Sequence, residues 1–470
     1  MAQLTPVLQA ALRDAAVTRD VVIERGAAAA LPLVAARRVT GARWMVVADE
    51  RTWRAAGHAA HTALAGAGAL IAPALVLPGQ QRLKPRADAA HDIARQLTEA
   101  DAVPVAVGSG VVNDLVKYAA RLTNRPYICM ATAASMDGYA ASGAALLQDG
   151  FKRTLACPPP VAVLADLDVL ANAPAQMTGW GYGDLAGKAV AGADWLLADA
   201  LQVEVINPGP FALVQDHLAG WIADAPRLAA RDPDALGGLL TGLLVSGFAM
   251  QAHGNSRPAS GSDHQFSHLW EMENLQVGGE PAAHGACVGV GCVAMLGLYE
   301  WLLARPAAAV QQARAPGAYD DAALSAEIGD AFGAADVASA AREEMKAKRA
   351  TGDRAKRVAR FAEAWPALRA TLGARLIGAS AMQRHLREIG AAAHPADLGI
   401  SLQTLAADYR RARLIRRRYT LLDLLEDLGW LDQAVADLFA PDGFWGRQGA
   451  ARATNEPVPM HPEPIEGDTT

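Results

Sequence analysis

The stretch VPVAVGSGVVNDLVKYAARL (103–122) restricts the possible folds more than any other part of the chain. It opens as a valine-rich run that reads as a buried strand, passes through Gly108, Ser109 and Gly110, and continues at once as a helix. Strand, glycine turn and helix in immediate succession form half of a βαβ unit. The surroundings repeat the rhythm. WMVVAD (44–49), ALVLP (74–78) and YICMATA (127–133) read as strands, and DIARQLTEADA (92–102) reads as an amphipathic helix. FKRTLACPPPVAVLADLDVL (151–170) reads as strands flanking a proline-rich turn. Such alternation predicts a parallel sheet wrapped by helices. From about residue 175 the pattern changes to long Ala/Leu stretches of helical period. At 470 residues a chain is expected to divide into two packed domains. The expectation is an α/β Rossmann-like domain with a parallel sheet over 1–175 and an all-helical domain over 176–448. The active site is expected in the cleft between them. The Pro-rich, polar segment 449–470 is expected to be a disordered tail.

Composition narrows the function. The formal net charge of −6 excludes a general nucleic-acid binder. Four cysteines (Cys129, Cys157, Cys287, Cys292) lack the paired spacing of a zinc ribbon or a disulfide framework, and Cys287 and Cys292 read as packed thiols. The N-terminal segment carries acids and lacks an unbroken apolar core, so it does not read as a signal peptide. ALGGLLTGLLVSGFAMQA (235–252) comes closest to a membrane span but is short and Gly-rich, and is expected to be a buried helix. The expectation is a soluble cytoplasmic protein with no membrane span.

Two groups of residues carry chemistry. Glycines between a strand and a helix allow backbone N–H groups to approach a pyrophosphate at the helix N-terminus, where the dipole favours negative charge. Gly108, Ser109 and Gly110 stand at such a turn, with Asn113 and Asp114 in the first helical turn. The full G-x-G-x-x-G fingerprint is absent, so the glycines could equally serve backbone geometry alone. Asp49, ending an earlier strand, is either a turn residue or an acceptor for the ribose hydroxyls of a nucleotide. The second group is GSDHQFSHLWEMENLQVGGEPAAHG (261–285), where His264 and His268, four apart, share one helix face. His284 follows a Gly-Gly-Glu-Pro break and is expected to start a new helix facing the same cleft. Imidazoles with one carboxylate are a common ligand set for Zn, Ni or Fe. Asp184, which shares a helix face with Lys188, is the candidate carboxylate, and His253 is a competing imidazole.

Five blocks, GSGVVND, ATAASMDGYAASGA, GYGDLAGKAVAGADW, RPASGSDHQFSH and AAHG, occur in this order. In this the chain resembles the sn-glycerol-1-phosphate dehydrogenases of the iron-type alcohol dehydrogenase and dehydroquinate synthase-like superfamily. The likeness covers roughly residues 20 to 300 and, more loosely, the helical remainder through RRRYTLLDLLEDLG (416–429). It implies that Asp184, His264 and His284 hold one divalent metal (Zn, Ni or Fe), with His268 beside the substrate. It gives Gly108, Ser109, Gly110 and Asp114 to the pyrophosphate of NAD or NADP, Thr132 and Ser135 to the same cofactor, and Asp137 to the substrate. It also implies a homodimer and a place in phospholipid metabolism. Two departures stand out. Some members carry His four residues after the metal Asp, where this chain has Lys188, which favours a three-residue ligand set. The family's Ser four residues after the substrate Asp is replaced by Ala141, with Ser142 next to it.

The reaction so implied is the reversible NAD(P)H-dependent reduction of dihydroxyacetone phosphate to sn-glycerol 1-phosphate. A metal would polarise the ketone, which Asp184 and its fellow ligands would help to bind. His268, or water ordered by it, would deliver the proton, its ordinary pKa of about 6.5 suiting both directions. The nicotinamide would supply the hydride. Asp49 favours NAD over NADP, because it would repel a 2′-phosphate. Arg257 is expected either to pair with the substrate phosphate or to form a structural salt bridge. Lys152 is a second phosphate candidate or a cofactor-ribose contact, and the run Arg416, Arg417, Arg418 reads as a solvated helix face or interface. The alternatives are a glycerol or other polyol dehydrogenase, a dehydroquinate synthase-like cyclase with no net NADH, and a metal-binding scaffold without catalysis.

Overall fold

The computed structural model describes residues 4–79, 83–148 and 151–453. Its first part contains strands β1 (Asp20–Glu24), β2 (Arg43–Asp49), β3 (Leu75–Leu77), β4 (Ala102–Gly108), β5 (Ile128–Ala131), β6 (Ala144–Gln148), β7 (Phe151–Leu155) and β8 (Ala162–Asp166). Six of them form a parallel sheet in the order β1-β8-β5-β4-β2-β3. All residues of β4, β5 and β8 are buried, as required of central strands covered by helices on both faces. The other two, β6 and β7, pair antiparallel as a separate hairpin.

Strand order creates a binding crevice. From β2 the chain moves out to the edge strand β3, returns to β4 on the far side of β2, and continues away from it through β5. The direction of winding therefore reverses between β2 and β4, and the crevice at the carboxyl ends of those strands is where open α/β sheets take ligands. Asp49 ends β2, and Gly108 ends β4.

Beyond β8 the chain is almost wholly helical. Five helices position the site: α1 (Gly110–Leu122) from the sheet half, then α2 (Ala175–Ala200), α3 (Pro233–His253), α4 (Ser262–Met272) and α5 (His284–Leu303). By length and composition α3 and α5 could cross a membrane, but 78% and 89% of their most apolar windows are buried inside the protein. They are core helices, as expected for 235–252. One small departure from an all-helical second half is the two-residue strand pair Gln276–Val277 and Glu280–Pro281. Gly278 and Gly279 between them take left-handed φ values of 61° and 81°, which a residue with a side chain rarely adopts. This reversal brings the chain back so that His284 begins α5 beside α4.

The expected disordered tail begins too early. A helix, Phe444–Ala453, runs through its first residues, anchored by Trp445, which is fully buried and donates to the Tyr409 hydroxyl. Residues 454–470 lie outside the described part.

Candidate active site

The long helix α2 can carry Asp184 into the centre of the protein because its glycines let neighbouring backbone come close. A Cβ on Gly181 would stand 1.9 Å from the Ala134 carbonyl oxygen, one on Gly183 2.2 Å from that of Gly285, and one on Gly187 2.3 Å from a carboxylate oxygen of Asp263. The GYGDLAG motif is thus the footprint of three elements converging on one turn. Asp184 is fully buried there. His264 faces it from the first turn of α4, and His284 from the first residue of α5. One ligand atom from each of Asp184, His264 and His284 lies within 4.8 Å of the others, and Nε2 of His264 is 3.7 Å from Oδ1 of Asp184.

The orientation of the two imidazoles fits a cation. His264 turns Nδ1 to Asp263 at 2.6 Å, and His284 turns Nδ1 to Glu271 at 2.7 Å and to Ser267 Oγ at 3.1 Å. With Nδ1–H donated to a carboxylate, each ring offers its Nε2 lone pair, and a carboxylate behind a ligating imidazole is the usual support of a metal histidine. Burial, helped by the nearby Lys188, drives the pKa of His264 well below its ordinary value, so the ring is neutral as ligation requires. Sequence reasoning missed Asp263 and Glu271. Their signal was present, since one acid adjoins His264 and the other lies three residues after His268.

Lys188 takes an unforeseen place. Its fully buried ammonium bridges Asp184 Oδ1 at 2.6 Å and Asp137 Oδ2 at 2.8 Å. Burial would raise the Asp184 carboxyl, but Lys188 and the imidazoles of His284 and His264 bring it to about 2. Asp137 is raised, first by burial and then by Asp184, with Lys188 opposing. The Asp137 backbone N–H donates to Asp184 Oδ2 at 2.9 Å, and Ser246 donates to the Asp137 carboxylate at 3.2 Å. Asp137, from the sheet half, is thereby joined to the triangle in the helical half.

At the glycine turn, Ser109 begins α1 in extended conformation, and no side chain caps the helix among the described residues. Its N-terminal N–H groups are therefore open to an anion. The glycines also have packing reasons. A Cβ on Gly108 would fall 2.5 Å from that of Val112, and one on Gly110 2.8 Å from Met136 Sδ. Thr132 closes the turn by donating its backbone N–H to Gly108, and Ser135 bonds the Tyr139 hydroxyl at 2.9 Å. Asn113 departs from its expected cofactor role. It is buried, its amide donating to Asp114 and accepting from Tyr127, so its side chain is structural. Asp114 accepts from the Ala145 N–H and ties α1 to the β6–β7 hairpin. Asp49 caps the short helix Glu50–Thr52 through Oδ1, the turn role weighed for it. Lys152 lies on β7, and its side chain falls outside the described part.

Three further expectations change. Arg257 is fully buried, 3.2 Å from Glu204, and donates to the Asp194 carbonyl at 2.9 Å, which makes it the structural salt bridge of the two roles considered. His253 packs its ring 4.9 Å from Trp195, away from the triangle. Residues 416–418 are not helical, and of the three only Arg417 is exposed, paired with Glu344. Arg416 and Arg418 turn inward and line a pocket with His268. His268 stands beside the triangle, its ring centroid 6.1 Å from that of His264 and 5.9 Å from that of His284. Its pKa is not near 6.5: burial, with Arg416, lowers it to about 3. All four cysteines are buried free thiols.

Residues 22–174 match the family described as iron-containing alcohol dehydrogenase. The chain is 35% identical over 259 residues to a glycerol-1-phosphate dehydrogenase [NAD(P)+] of Halalkalibacterium halodurans, covering 54% of this chain and 64% of the relative. It is 29% identical over 330 residues to one of Geobacillus stearothermophilus, covering 69% and 72%. Across the first of these relatives the matched stretch spans from about half to just under two thirds of their length. Among solved structures, the fold is similar to glycerol dehydrogenase from Schizosaccharomyces pombe, with a TM-score of 0.58, 14% identity and coverage of 95% of this chain and 94% of that one. It is similar too to sulfoacetaldehyde reductase from Bifidobacterium kashiwanohense in complex with NAD+, with a TM-score of 0.55, 15% identity and coverage of 91% and 98%. With the family match over its sheet half and with these similarities, residues 22–174 belong to the iron-containing alcohol dehydrogenase family, and the six-stranded parallel sheet followed by a helical second half has the fold of the similar solved structures.

Proposed function

We propose that this protein is a metal-dependent, NAD(P)-dependent dehydrogenase that reversibly reduces dihydroxyacetone phosphate to sn-glycerol 1-phosphate, acting as a cytoplasmic homodimer. The observation that carries the reading is the triangle of Asp184, His264 and His284, with both Nδ1 atoms held by carboxylates and Asp137 of the sheet half bonded to it. The relatives named as glycerol-1-phosphate dehydrogenases support the choice of substrate.

Asp184 and the Nε2 atoms of His264 and His284 would hold the divalent ion, whose chemistry is Lewis-acid polarisation of a carbonyl, while a nicotinamide supplies hydride. The uncapped start of α1 at Ser109, in the crevice between β2 and β4, would hold the cofactor's pyrophosphate. Lys188 keeps Asp184 ionised and holds Asp137 at the mouth of the triangle. His268, neutral and with Nδ1 3.5 Å from Glu271, offers Nε2 as a proton acceptor. It would pass the hydroxyl proton on to solvent when the alcohol is oxidised, and relay one from solvent when the ketone is reduced.

The test is NADH and NADPH oxidation with dihydroxyacetone phosphate, with dihydroxyacetone and with no substrate, metal content being measured in parallel. The phosphorylated ketone is expected to be preferred, with turnover lost on chelation and restored by added metal. Full turnover by verified metal-free protein would remove the Lewis-acid role. Preference for the unphosphorylated ketone would make the protein a polyol dehydrogenase.

A further inference from the structure

A small pocket opens beside His268, bounded by Arg416, Arg418, Ser260, Gly261 and Gln265. Two of these residues carry guanidinium groups, and no carboxylate is among them. Arg416 makes no hydrogen bond or ion pair among the described residues, and of its two charged neighbours Glu344 is engaged by Arg417 and Glu271 by His284 and His268. Arg418 is oriented by donating to the Ser260 carbonyl and, at 3.1 Å, to Ser256 Oγ, neither of which neutralises it. Burial, with Arg257 and Arg416 close by, lowers Arg418 to about 9 against the opposing charges of Glu204 and Asp194. Gln265 is buried, anchored by its amide N–H to the Arg418 carbonyl, and its Oε1 has no partner among the described residues. Buried polar groups without partners are costly in a finished core and common where a ligand completes the bonding.

We infer that this pocket is the anion subsite of the enzyme, in which Arg416 and Arg418 receive the phosphate monoester of the substrate. The inference rests on the reading of the substrate proposed above and assigns the recognition to residues that the motifs did not indicate. Position supports it. His268 belongs both to the pocket wall and to the imidazole cluster, its ring centroid 6.1 Å from that of His264 and 5.9 Å from that of His284. An anion held by the two arginines therefore lies one imidazole away from the triangle. Planar, paired donors on two guanidinium groups match the tetrahedral face of a phosphate. Arg257, the cation nearest in sequence to the metal histidines, has Nε and Nη1 without hydrogen-bond partners among the described residues, but it is ion-paired with Glu204 and is not part of the wall.

The experiment compares Arg416→Gln, Arg418→Gln and the exposed control Arg417→Gln in the full-length, metal-loaded enzyme. Readouts are kcat and KM for dihydroxyacetone phosphate, competitive inhibition by inorganic phosphate, and the thermal shift that inorganic phosphate produces without turnover. Loss of one charge-assisted pair predicts a rise of about 10- to 100-fold in KM and in the phosphate inhibition constant for Arg416→Gln, with a smaller change in kcat. Arg417→Gln is expected to move neither. Arg416 bonds nothing among the described residues, so its variant reads the subsite even if Arg418→Gln, which loses its ties to Ser256 and Ser260, folds poorly. If dihydroxyacetone phosphate is reduced but its KM and the phosphate inhibition are unmoved in Arg416→Gln, the subsite is wrong and the reaction stands. If neither ketone is reduced yet phosphate still binds in an Arg416-dependent way, the subsite stands and the reaction is wrong.

Discussion

The ammonium nitrogen of Lys188 lies 2.6 Å from Oδ1 of Asp184, one turn further along α2, with both side chains fully buried. A histidine at this position would add an imidazole to the triangle. The lysine instead contributes a fixed positive charge that two carboxylates share, since Asp137 lies 2.8 Å from the same nitrogen. Lys188→Met would leave Asp184 and Asp137 facing each other without a cation. Removing one partner of a buried ion pair costs about 3–5 kcal/mol. Urea unfolding of the metal-free variant is expected to show a loss of that order, and saturating divalent metal should recover part of it. An unchanged midpoint would show that the carboxylates do not depend on the lysine.

The imidazoles depend on the acids behind them. Asp263→Asn removes the charge behind His264, and Glu271→Gln removes the one behind His284. Each is expected to weaken metal binding by about 10- to 100-fold while leaving the fold intact, as carboxylates that support ligating imidazoles do elsewhere. Competition with a chromophoric chelator measures this directly. Equal affinity in variant and parent would mean that the ring orientations are set by packing alone.

Much of this arrangement can be read from the sequence wherever chemistry and local pattern coincide. The valine run into Gly108 identifies β4 and α1, and the spacing of His264, His268 and His284 around a Gly-Gly turn identifies one face of the site. Strand β1 escapes notice because five residues beside a charged turn carry little period, and β6 because AALLQ lacks β-branched residues. Arg416 and Arg418 mislead for a different reason. Three consecutive arginines look like a solvated helix face, but the helical turn ends at Arg416, whose backbone is extended, and a bend at Arg417 leaves that side chain outward while its two neighbours line the pocket. No local pattern reveals which charges a distant loop will cover.

Backbone approach makes a second kind of prediction. A Cβ on Gly285 would meet the Trp180 carbonyl oxygen at 1.9 Å, and backbone cannot move aside as a side chain can. Gly285→Ala should push the first turn of α5 away from α2 and carry His284 with it. Overpacking of this kind typically costs about 1–3 kcal/mol. Reduced thermal stability together with substoichiometric metal is the expected result. A Cβ on Gly238 in α3 would meet nothing within 4 Å, so Gly238→Ala should stabilise by up to about 1 kcal/mol through helix propensity. Should both changes behave alike, close approach would not be the reason for the glycine at 285.

Two groups near the triangle respond to acid in opposite senses. Burial, with Arg416, holds His268 at about 3, so the folded chain keeps it neutral while the unfolded chain protonates it below its ordinary value near 6.5. Its contribution to stability is present above that value and is lost as pH falls towards 3, by up to about 1.4 kcal/mol per pH unit. Burial raises the Asp263 carboxyl from 3.8 to about 7, which has the reverse effect. Its contribution is present below the unfolded value and is lost as pH rises through 7. The parent curve sums both, so it cannot isolate either group. His268→Asn removes one. Between about pH 7.5 and about pH 5.5, urea unfolding of the metal-free protein should show the variant losing about 1 kcal/mol less stability than the parent. Parallel curves over that interval would mean that His268 titrates near its ordinary value in the folded protein, and that burial does not hold the ring neutral in acid.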